Sequence, residues 1–254
     1  MGEFPPNHRQ ERRVSAAAVP SFSEAASRML DRVEYRVART EREREAVFRL
    51  RHDGYVRDDN LEPIASGLFI DEWDDASNGL TVGIHLDGVL VSTIRIHVST
   101  PGLQNVPAFD SFADILAPFN RAGRCLVDPT RFVISTAGAR MGHFIPILTV
   151  RLTCMAAEHF RAYALLATVR RNHIPVYKRF SGHRVLCEPR PYPPLRKPLA
   201  CMFVETDVLR KEAYRNFPVM ASTEEERVRL FGPAPQQQAG LGLPAAHPRH
   251  ASLC

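Results

Sequence analysis

Lysine is scarce in this chain of 254 residues, which carries its positive charge almost entirely on arginine. Only Lys178, Lys197 and Lys211 are lysines among 33 basic residues, and the formal net charge is +5. Arginine binds carboxylate and phosphate groups bidentately, although it also accumulates through composition bias. An acidic carrier protein and a phosphorylated cofactor are therefore open as partners. Nucleic acid is not expected, because no nucleic-acid-binding module is recognisable.

Long apolar runs are also absent. No segment approaches the roughly 20 residues that a membrane helix needs, and the N-terminal segment lacks the apolar core of a secretory signal. No C-x-x-C pair occurs, and four of the five cysteines lie in apolar or mixed segments. We therefore expect a cytoplasmic protein with reduced thiols and without stable membrane insertion. The cysteines are Cys125, Cys154, Cys187, Cys201 and Cys254.

Several catalytic signatures are missing as well. The histidines show no metal-ligand spacing and H-E-x-x-H does not occur, so no metal site is expected. The sequence has no G-x-S-x-G elbow, no P-loop and no G-x-G-x-x-G, which argues against α/β-hydrolase, P-loop and dinucleotide-binding chemistry. Cys187 has no evident base beside it, so a cysteine nucleophile is not expected either.

Composition divides the chain into three parts. Residues 1–31 are rich in Pro, Ser, Ala and Arg, which predicts a flexible arm with at most one short helix. Residues 32–220 carry the periodic apolar patterns of a folded domain. Residues 221–254 end in a low-complexity stretch and are predicted to form a tail. The sequence leaves the oligomeric state open.

The central part predicts an α+β fold. Thr40 with Glu43 forms a capping box for a first helix, and Asp87-Gly88 between two apolar runs predicts a hairpin. Pro129 places its strand at a sheet edge or at a bulge. The predicted order is strand, helix, hairpin, strand, helix, strand, helix, strand, strand, which gives a mixed sheet flanked by helices.

The stretch FIDEWDD, residues 69–75, gathers four carboxylates beside the only tryptophan, Trp73. One interpretation is a pocket that binds a cation through Asp71 and Asp74. The other is a turn whose acids pair with arginines, the candidates being Arg51, Arg95 and Arg131. Glu72 and Asp75 are expected to face solvent in either case.

Four segments in a fixed order carry a family resemblance. They are RLRHDGYV (49–56), FIDEWDD (69–75), STIRIHV (92–98) and DPTRFVI (128–134). With these segments the chain resembles GNAT acyltransferases over about residues 35–205, and in particular the branch of long-chain N-acyl amino acid synthases and acyl-homoserine-lactone synthases. The closing RRNHIPVYKRFSG favours the N-acyl amino acid synthases. The resemblance implies a GNAT-like acyltransferase fold.

The chain departs from the family pattern at two places. The pyrophosphate loop of GNAT enzymes is replaced by STAGARMGHF, whose Gly138, Arg140 and Gly142 fit the spacing only loosely. We therefore expect acyl carrier protein rather than coenzyme A as the donor. The acyl thioester of either one would be a cosubstrate, and we expect no bound cofactor. Asp128 stands where lactone synthases typically have Glu, which weakens the lactone alternative.

The resemblance implies roles for the conspicuous acids and arginines. Asp71 and Asp74 would bind the ammonium group of an amino acid, and their mutual repulsion would raise one pKa for a proton relay. Trp73 would close one side or meet the acyl chain. Arg51 and Arg95 would orient the acids or bind the acceptor carboxylate, or else form a buried ion pair with Asp71, Asp74 or Asp128.

The strand DPTRFVIS is the candidate for the oxyanion site, because Pro129 prevents regular pairing and frees backbone N–H groups near Val133 or Ile134. Arg131 reaches Asp128 only if a bulge re-aims one side chain. Phe132 lines the acyl tunnel or the core. Tyr177 resembles the tyrosine that protonates the departing thiolate, and its alternative is a packing role.

The predicted site residues fall into three groups. The catalytic group is Asp71, Asp74, Asp128, Arg131 and Tyr177. The substrate-binding group is Arg51, Tyr55, Trp73, Arg95, Phe132, Val133 and Ile134. The group that meets phosphopantetheine or an acidic carrier, or else forms a solvated helix face, is Arg140, Arg170, Arg171, Lys178 and Arg179.

The leading hypothesis is an N-acyltransferase that moves a fatty acyl group from acyl carrier protein, or from acyl-CoA, to the α-amine of an amino acid. The first alternative is an acyl-homoserine-lactone synthase that uses S-adenosylmethionine. The second is a non-catalytic GNAT-like module that binds an acylated ligand. The acyl length and the acceptor amino acid are not readable from the sequence.

Overall fold

The computed structural model describes residues 22–100 and 103–232, which form a seven-stranded sheet with helices on both faces. The strands are β1 (Val33–Val37), β2 (Gly79–Leu86), β3 (Val89–Ser99), β4 (Leu126–Ile134), β5 (Ala164–Val169), β6 (Arg184–Tyr192) and β7 (Leu195–Glu205). The helices are α1 (Phe22–Leu30), α2 (Glu41–Arg57), α3 (Ala108–Arg121), α4 (Thr136–Arg140), α5 (Phe144–His159), α6 (Ile174–Ser181), α7 (Thr206–Leu209) and α8 (Glu224–Phe231).

The sheet has the strand order β1-β2-β3-β4-β5-β7-β6. Every neighbouring pair is antiparallel except β4 and β5, which run parallel. These two central strands pair only at Leu126 with Ala164 and at Val127 with Leu165. Beyond those pairs they diverge, and the sheet opens towards their carboxyl ends. The predicted mixed sheet of the α+β class is therefore confirmed.

Local signals set the first half of the sheet. Thr40 and Glu43 form the predicted capping box at the start of α2. Asp87 and Gly88 both have positive φ, at 49° and 80°. Two such residues form the turn that matches the twist of a two-residue hairpin, and β2 and β3 pair directly across it.

Apolar side chains pack on both faces of the sheet. On one face Ile94 and Ile96 belong to a buried cluster that includes Leu152 of α5. On the other face Leu166 and Phe203 belong to a cluster that includes Phe112 of α3. Alternation along each strand sends successive side chains to opposite faces, so the two helices cover the sheet from both sides.

The strand that contains Pro129 lies at the centre of the sheet, so the edge alternative was wrong and the bulge alternative is confirmed. Thr93 pairs with Val133 whereas Arg95 pairs with Thr130, which leaves one extra residue on β4. Arg131 lies at this point with φ of 55°. Pro129, which has no N–H to donate, therefore lies in a central strand whose pairing is irregular, and not in an unpaired edge strand.

Helices α3, α4, α7 and α8 were not predicted, and α1 is the one short helix that the predicted arm allowed. Helix α3 was missed, although Phe109, Phe112 and Leu116 have helical spacing, because Pro118 within it obscured the pattern. Helix α1 lies in the predicted arm and packs through Ala26 against Leu148 of α5.

Helix α8 lies within the predicted tail, so packed structure continues beyond residue 221. Its Leu230 and Phe231 are buried in the main core. The remainder of the predicted arm and tail, residues 1–21 and 233–254, lies outside the described residues. Throughout the part of the chain that the structure describes, no helix combines the length and hydropathy needed to cross a bilayer.

Candidate active site

A cavity of about 600 Å³ fills the opening between β4 and β5. Its walls include Tyr55 of α2, Phe132 and Ile134 of β4, Leu165 of β5 and Tyr177 of α6. The opening passes between the two faces of the sheet, because both Leu165 and Leu166 contribute to the lining although they point to opposite faces. A mostly apolar channel of this volume is suited to a ligand with a long hydrocarbon part.

Backbone groups of β4 face this cavity. The N–H of Ser135 donates to the carbonyl of Val91 at 2.9 Å. Hydrogen-bonding alternates along an antiparallel ladder, so Val133 faces β3 while the N–H of Ile134 points away from β3, towards the opening. Of the two residues proposed for the oxyanion donor, Ile134 is therefore the one with an N–H on the cavity side.

An ion-pair cluster lies beside the cavity, where the turn of residues 71–75 meets β3 and β4. Nε of Arg131 donates to Oδ2 of Asp71 at 3.0 Å, and Nη2 of Arg95 donates to the same oxygen at 3.2 Å. The positive φ of Arg131 at the bulge directs its side chain to this acid. Arg131 therefore pairs with Asp71, as one of the two interpretations of the turn predicted, and the bulge does not turn it to Asp128.

A second acid completes the cluster. Arg51 of α2 reaches Asp74 at 2.6 Å and Thr81 at 3.0 Å. Arg95 also contacts Asp74, at 2.9 Å. The predicted pairing of the two acids with arginines is confirmed, but the two paired acids are buried and not solvated, since the side chains of Asp71 and Asp74 are only 8% and 1% exposed. Glu72 and Asp75 face solvent as predicted.

The charges of the cluster contradict the predicted proton relay. Burial acts to raise the pKa of Asp71, but the hydrogen bond from Arg95 and the charge of Arg131 outweigh it and hold that pKa well below its usual range. The pKa of Asp74 is likewise lowered, with Arg51 outweighing the effect of burial. Both acids stay ionised and already paired. Three arginines around two carboxylates leave one excess positive charge, which does not suit an ammonium group.

Asp128 has a different environment. It is completely buried, and its Oδ2 accepts the N–H of Ala108, at the start of α3, at 2.8 Å. Its Oδ1 has no hydrogen-bond partner within residues 22–100 and 103–232. Burial raises the pKa of Asp128 to about 7, against the opposing effect of the Ala108 N–H. This carboxyl group can therefore exchange a proton near neutral pH.

Trp73 is not among the residues that line the cavity. Its Nε1 donates to Oδ2 of Asp110 at 2.8 Å. Its backbone carbonyl contacts Nε2 of His97 at 3.0 Å. The indole therefore joins the acidic turn to the first turn of α3, and its substrate-binding role stays a prediction.

Tyr177 lines the cavity, and burial raises the pKa of its phenol to about 12. Arg170 lies at the mouth of the same cavity and contacts Asp58 at 3.7 Å. The other residues predicted to meet a carrier are exposed: Arg140, Arg171, Lys178 and Arg179. The structure thus places one cation at the mouth and the rest on the surface, and their predicted role is not decided by this placement.

The segment that replaces the pyrophosphate loop has a packing function. A Cβ on Gly138 would lie 2.4 Å from the carbonyl oxygen of Val91, so only glycine fits there. Oγ of Ser135 already accepts the N–H of Gly138 at 2.9 Å. The glycine therefore allows α4 to approach β3, and a phosphate cradle is not needed to explain it.

Some residues of the cavity escaped the sequence analysis. Tyr192 lines it from β6, and its hydroxyl has no hydrogen-bond partner in the described part of the chain. His183 and Ser181 line it at the end of α6. The turn from α6 to β6 is visible in the sequence, but no local pattern shows that these side chains point inwards.

The chain has the GNAT-like architecture, which solved structures share. FeeM, an N-acyl amino acid synthase from uncultured soil microbes, shares it with a TM-score of 0.60 at 19% identity, over 71% of this chain and 94% of that one. The AHL synthase LasI shares it with a TM-score of 0.53 at 13% identity, over 82% and 98% of the two chains. The CoA-dependent acyl-homoserine lactone synthase BjaI gives 0.52 at 14% identity, over 78% and 97%.

The family follows from the sequence. The model of the family described as N-acyl amino acid synthase FeeM matches residues 46–205. This match covers more than half of the chain, so the chain belongs to the FeeM family of N-acyl amino acid synthases. None of the curated proteins matches the chain. The protein is accordingly an enzyme of the acyltransferase class, and the non-catalytic alternative is wrong.

Proposed function

We propose that this enzyme transfers a fatty acyl group from the thioester of acyl carrier protein to the α-amine of an amino acid. The amine nitrogen attacks the thioester carbonyl, the C–N bond forms, the C–S bond breaks, and the carrier leaves as a free thiol. The observation that carries the proposal is the apolar cavity in the opening between β4 and β5, with Arg131 and the bulged strand in its wall.

The acyl chain would occupy the apolar walls. Phe132, Val133 and Ile134 form one side of the cavity, as the predicted substrate-binding roles require. The N–H of Ile134 would donate to the oxygen of the thioester carbonyl as negative charge develops there. Tyr55 belongs to the same wall, where its ring meets Phe69 edge to face at 5.3 Å.

The acceptor would bind through its carboxylate. Arg131 lines the cavity and is held by Asp71, and the cluster of Arg51, Arg95 and Arg131 with Asp71 and Asp74 carries one excess positive charge. A carboxylate satisfies that charge, and an arginine held on one side can still offer donors on the other. In this role Asp71 and Asp74 position the arginines, whereas the ammonium group points elsewhere.

Two side chains have suitable properties for the proton transfers. The amine must lose a proton to attack. Asp128, with a pKa raised to about 7, is not among the residues that line the cavity, so it would accept this proton through water. The departing thiolate needs a proton, and Tyr177 holds one in the cavity wall because burial raises its pKa to about 12. The enzyme would use no acyl-enzyme intermediate and no bound cofactor.

The donor would be an acyl carrier protein rather than coenzyme A. The segment after β4 uses Gly138 for packing and its N–H for a serine cap, which leaves little of a pyrophosphate cradle. Arg170 lies at the cavity mouth, and the exposed cations Arg171, Lys178 and Arg179 come after it in the sequence. Their positive charge suits an acidic carrier surface. Arg140 lies next to Ala139, which also lines the cavity.

The test is the reaction itself. Purified enzyme is incubated with acyl carrier thioesters or acyl-CoA of several chain lengths and a mixture of amino acids, and free thiol and product mass are measured. We expect N-acyl amino acids, with carrier thioesters preferred. Arg131→Lys should lower kcat/KM for the amino acid about tenfold or more, because the bidentate donor is lost. The matched control is Arg121→Lys on the exposed end of α3.

Two outcomes would contradict the proposal. Absence of thiol release with every donor length would exclude the reaction. Consumption of S-adenosylmethionine with release of 5′-methylthioadenosine would identify a lactone synthase. This is the alternative function that the fold shared with LasI supports.

A further inference from the structure

His183 is a buried polar side chain that the proposed reaction does not use. It lies in the cavity wall directly after α6 and is only 3% exposed. Its Nδ1 contacts Oγ of Ser181 at 2.7 Å, while Nε2 has no hydrogen-bond partner among the residues described. A buried nitrogen without a partner in a cavity wall is a place where a ligand can supply the missing hydrogen bond.

The hydroxyl of Ser181 lies within hydrogen-bond distance of two groups, the carbonyl of Tyr177 at 3.2 Å and Nδ1 of His183 at 2.7 Å. When the hydroxyl donates its single proton to the carbonyl, its oxygen accepts from Nδ1. In that arrangement Nδ1 bears the ring proton and Nε2 presents a lone pair. Burial lowers the pKa of His183 to about 3, so the ring stays neutral and Nε2 remains an acceptor at neutral pH.

The position of His183 indicates which part of the donor it meets. Its ring stands edge to face against Tyr177 at 5.4 Å, and Tyr177 is the residue proposed to protonate the departing thiolate. The atoms that pass His183 are therefore those close to the thioester. Val176, Phe180 and Leu209 line the same cavity with apolar groups. Among the buried side-chain atoms of the described lining, Nε2 of His183 and the hydroxyl of Tyr192 lack a hydrogen-bond partner.

We propose that Nε2 of His183 accepts a hydrogen bond from a hydroxyl group on the acyl chain near the thioester, so that the enzyme selects a hydroxylated fatty acyl donor. This inference rests on the acyl-transfer function proposed above. An unsubstituted chain would cover Nε2 without satisfying it, and a keto group would bring a second acceptor against it. Both are therefore disfavoured relative to the hydroxylated chain.

The test measures binding directly, without turnover. Thioether analogues of dodecyl-pantetheine and 3-hydroxydodecyl-pantetheine, which cannot react, are titrated calorimetrically into the full-length enzyme. We expect the hydroxylated probe to bind on the order of tenfold more tightly, the size of one buried hydrogen bond. In His183→Leu the preference should disappear, with weaker binding of the hydroxylated probe and unchanged or tighter binding of the plain one.

Two further variants serve as controls. His173→Leu removes another histidine of the same cavity wall and should keep the preference. His183→Gln offers an acceptor oxygen and should keep part of it, provided that circular dichroism and thermal melting show a folded protein.

Three results would overturn the inference. The first is equal binding of the two probes by the wild type. The second is an equal loss of affinity for both probes in His183→Leu, which would mean that the nitrogen binds the pantetheine amide. The third is a preference that persists in both His183 variants. If the preference is present but no amino acid is acylated, the reaction fails while the binding inference stands.

Discussion

At the residue scale, the acids of the site divide by their partners. Asp71 and Asp74 are surrounded by three arginines and stay ionised, whereas Asp128 is completely buried with one oxygen lacking a partner in the described structure. The same type of side chain therefore serves as a fixed anchor for arginines at two positions and as a titratable group at the third.

The raised pKa of Asp128 predicts how stability changes with pH. Folding raises this pKa from 3.8 to about 7, so the stability that the protonated acid contributes is fully present below about pH 4 and is lost as the pH rises to about 7. The whole loss amounts to roughly 4 kcal/mol, of which roughly 3 kcal/mol falls above pH 5. In Asp128→Asn this dependence should vanish between pH 5 and 8, as measured by urea unfolding at each pH.

An exposed acid provides the comparison. Asp114→Asn should leave the pH dependence between 5 and 8 as in the wild type, because Asp114 is exposed and its pKa is lowered by Arg190. If Asp128→Asn and the wild type lose the same free energy of unfolding over this range, the protonation assigned to Asp128 is wrong.

At the element scale, the contact between α2 and the bulge of β4 shapes one wall of the cavity. A Cβ on Gly54 would lie 2.2 Å from Cγ1 of Val133, which is closer than real Cβ contacts allow. Helix interiors disfavour glycine by about 1 kcal/mol relative to alanine. Gly54 is therefore present because α2 must approach β4 closely and not because the helix prefers it.

This close contact predicts a compensating pair of substitutions. Gly54→Ala should destabilise the protein by about 1–3 kcal/mol through overpacking. In the background of Val133→Ala, which removes both γ carbons, the same change should be neutral or stabilising, because the methyl group fills the space and the helix propensity improves. Denaturant unfolding of the four proteins in a double-mutant cycle gives the coupling energy. A coupling energy near zero would show that the two side chains do not compete for space.

At the scale of the whole molecule, α8 is tied to the core through a buried arginine of α5. Arg151 donates to the carbonyl of Val219 at 2.8 Å, to the carbonyl of Ala221 at 2.9 Å and to Glu226 at 2.7 Å. Glu226 also caps α8, where it accepts the N–H of Thr223. One side chain thus joins the C-terminal helix to the helix that covers the sheet.

The contact between Arg151 and Glu226 predicts a difference between neighbouring glutamates. Glu226→Ala should destabilise the protein by roughly 1–2 kcal/mol, since it removes a helix cap and one partner of a buried guanidinium, with the ion pair discounted for partial exposure. Glu225→Ala, at an exposed position of the same turn, should change stability by less than about 0.5 kcal/mol. Thermal melting measures the stability of both variants. Equal melting temperatures of Glu226→Ala and Glu225→Ala would show that Glu226 does not have this stabilising role.

Much of the fold was predictable, and the reasons are local. The capping box of Thr40 and Glu43, the hairpin at Asp87-Gly88 and the helix around Tyr177 depend on residues that are neighbours along the chain. Helix α3 was missed because proline obscured its periodicity. Helix α8 was missed because its charged sequence adjoins a low-complexity stretch, and only docking through Arg151 shows that it belongs to the core.

The pairing of Asp71 and Asp74 with arginines was one of two interpretations that the sequence allowed. The sequence alone determined the mixed sheet, since this follows from local periodicity and residue type, and it left the bulge near Pro129 as one of two alternatives. Tertiary structure decided that Arg131 turns to Asp71, that Asp128 is buried without a full set of partners in the described structure, and that His183 lies in the cavity wall. These facts depend on contacts between residues distant in the chain and on burial, which sets pKa and hydrogen-bond satisfaction and is a property of the folded protein alone.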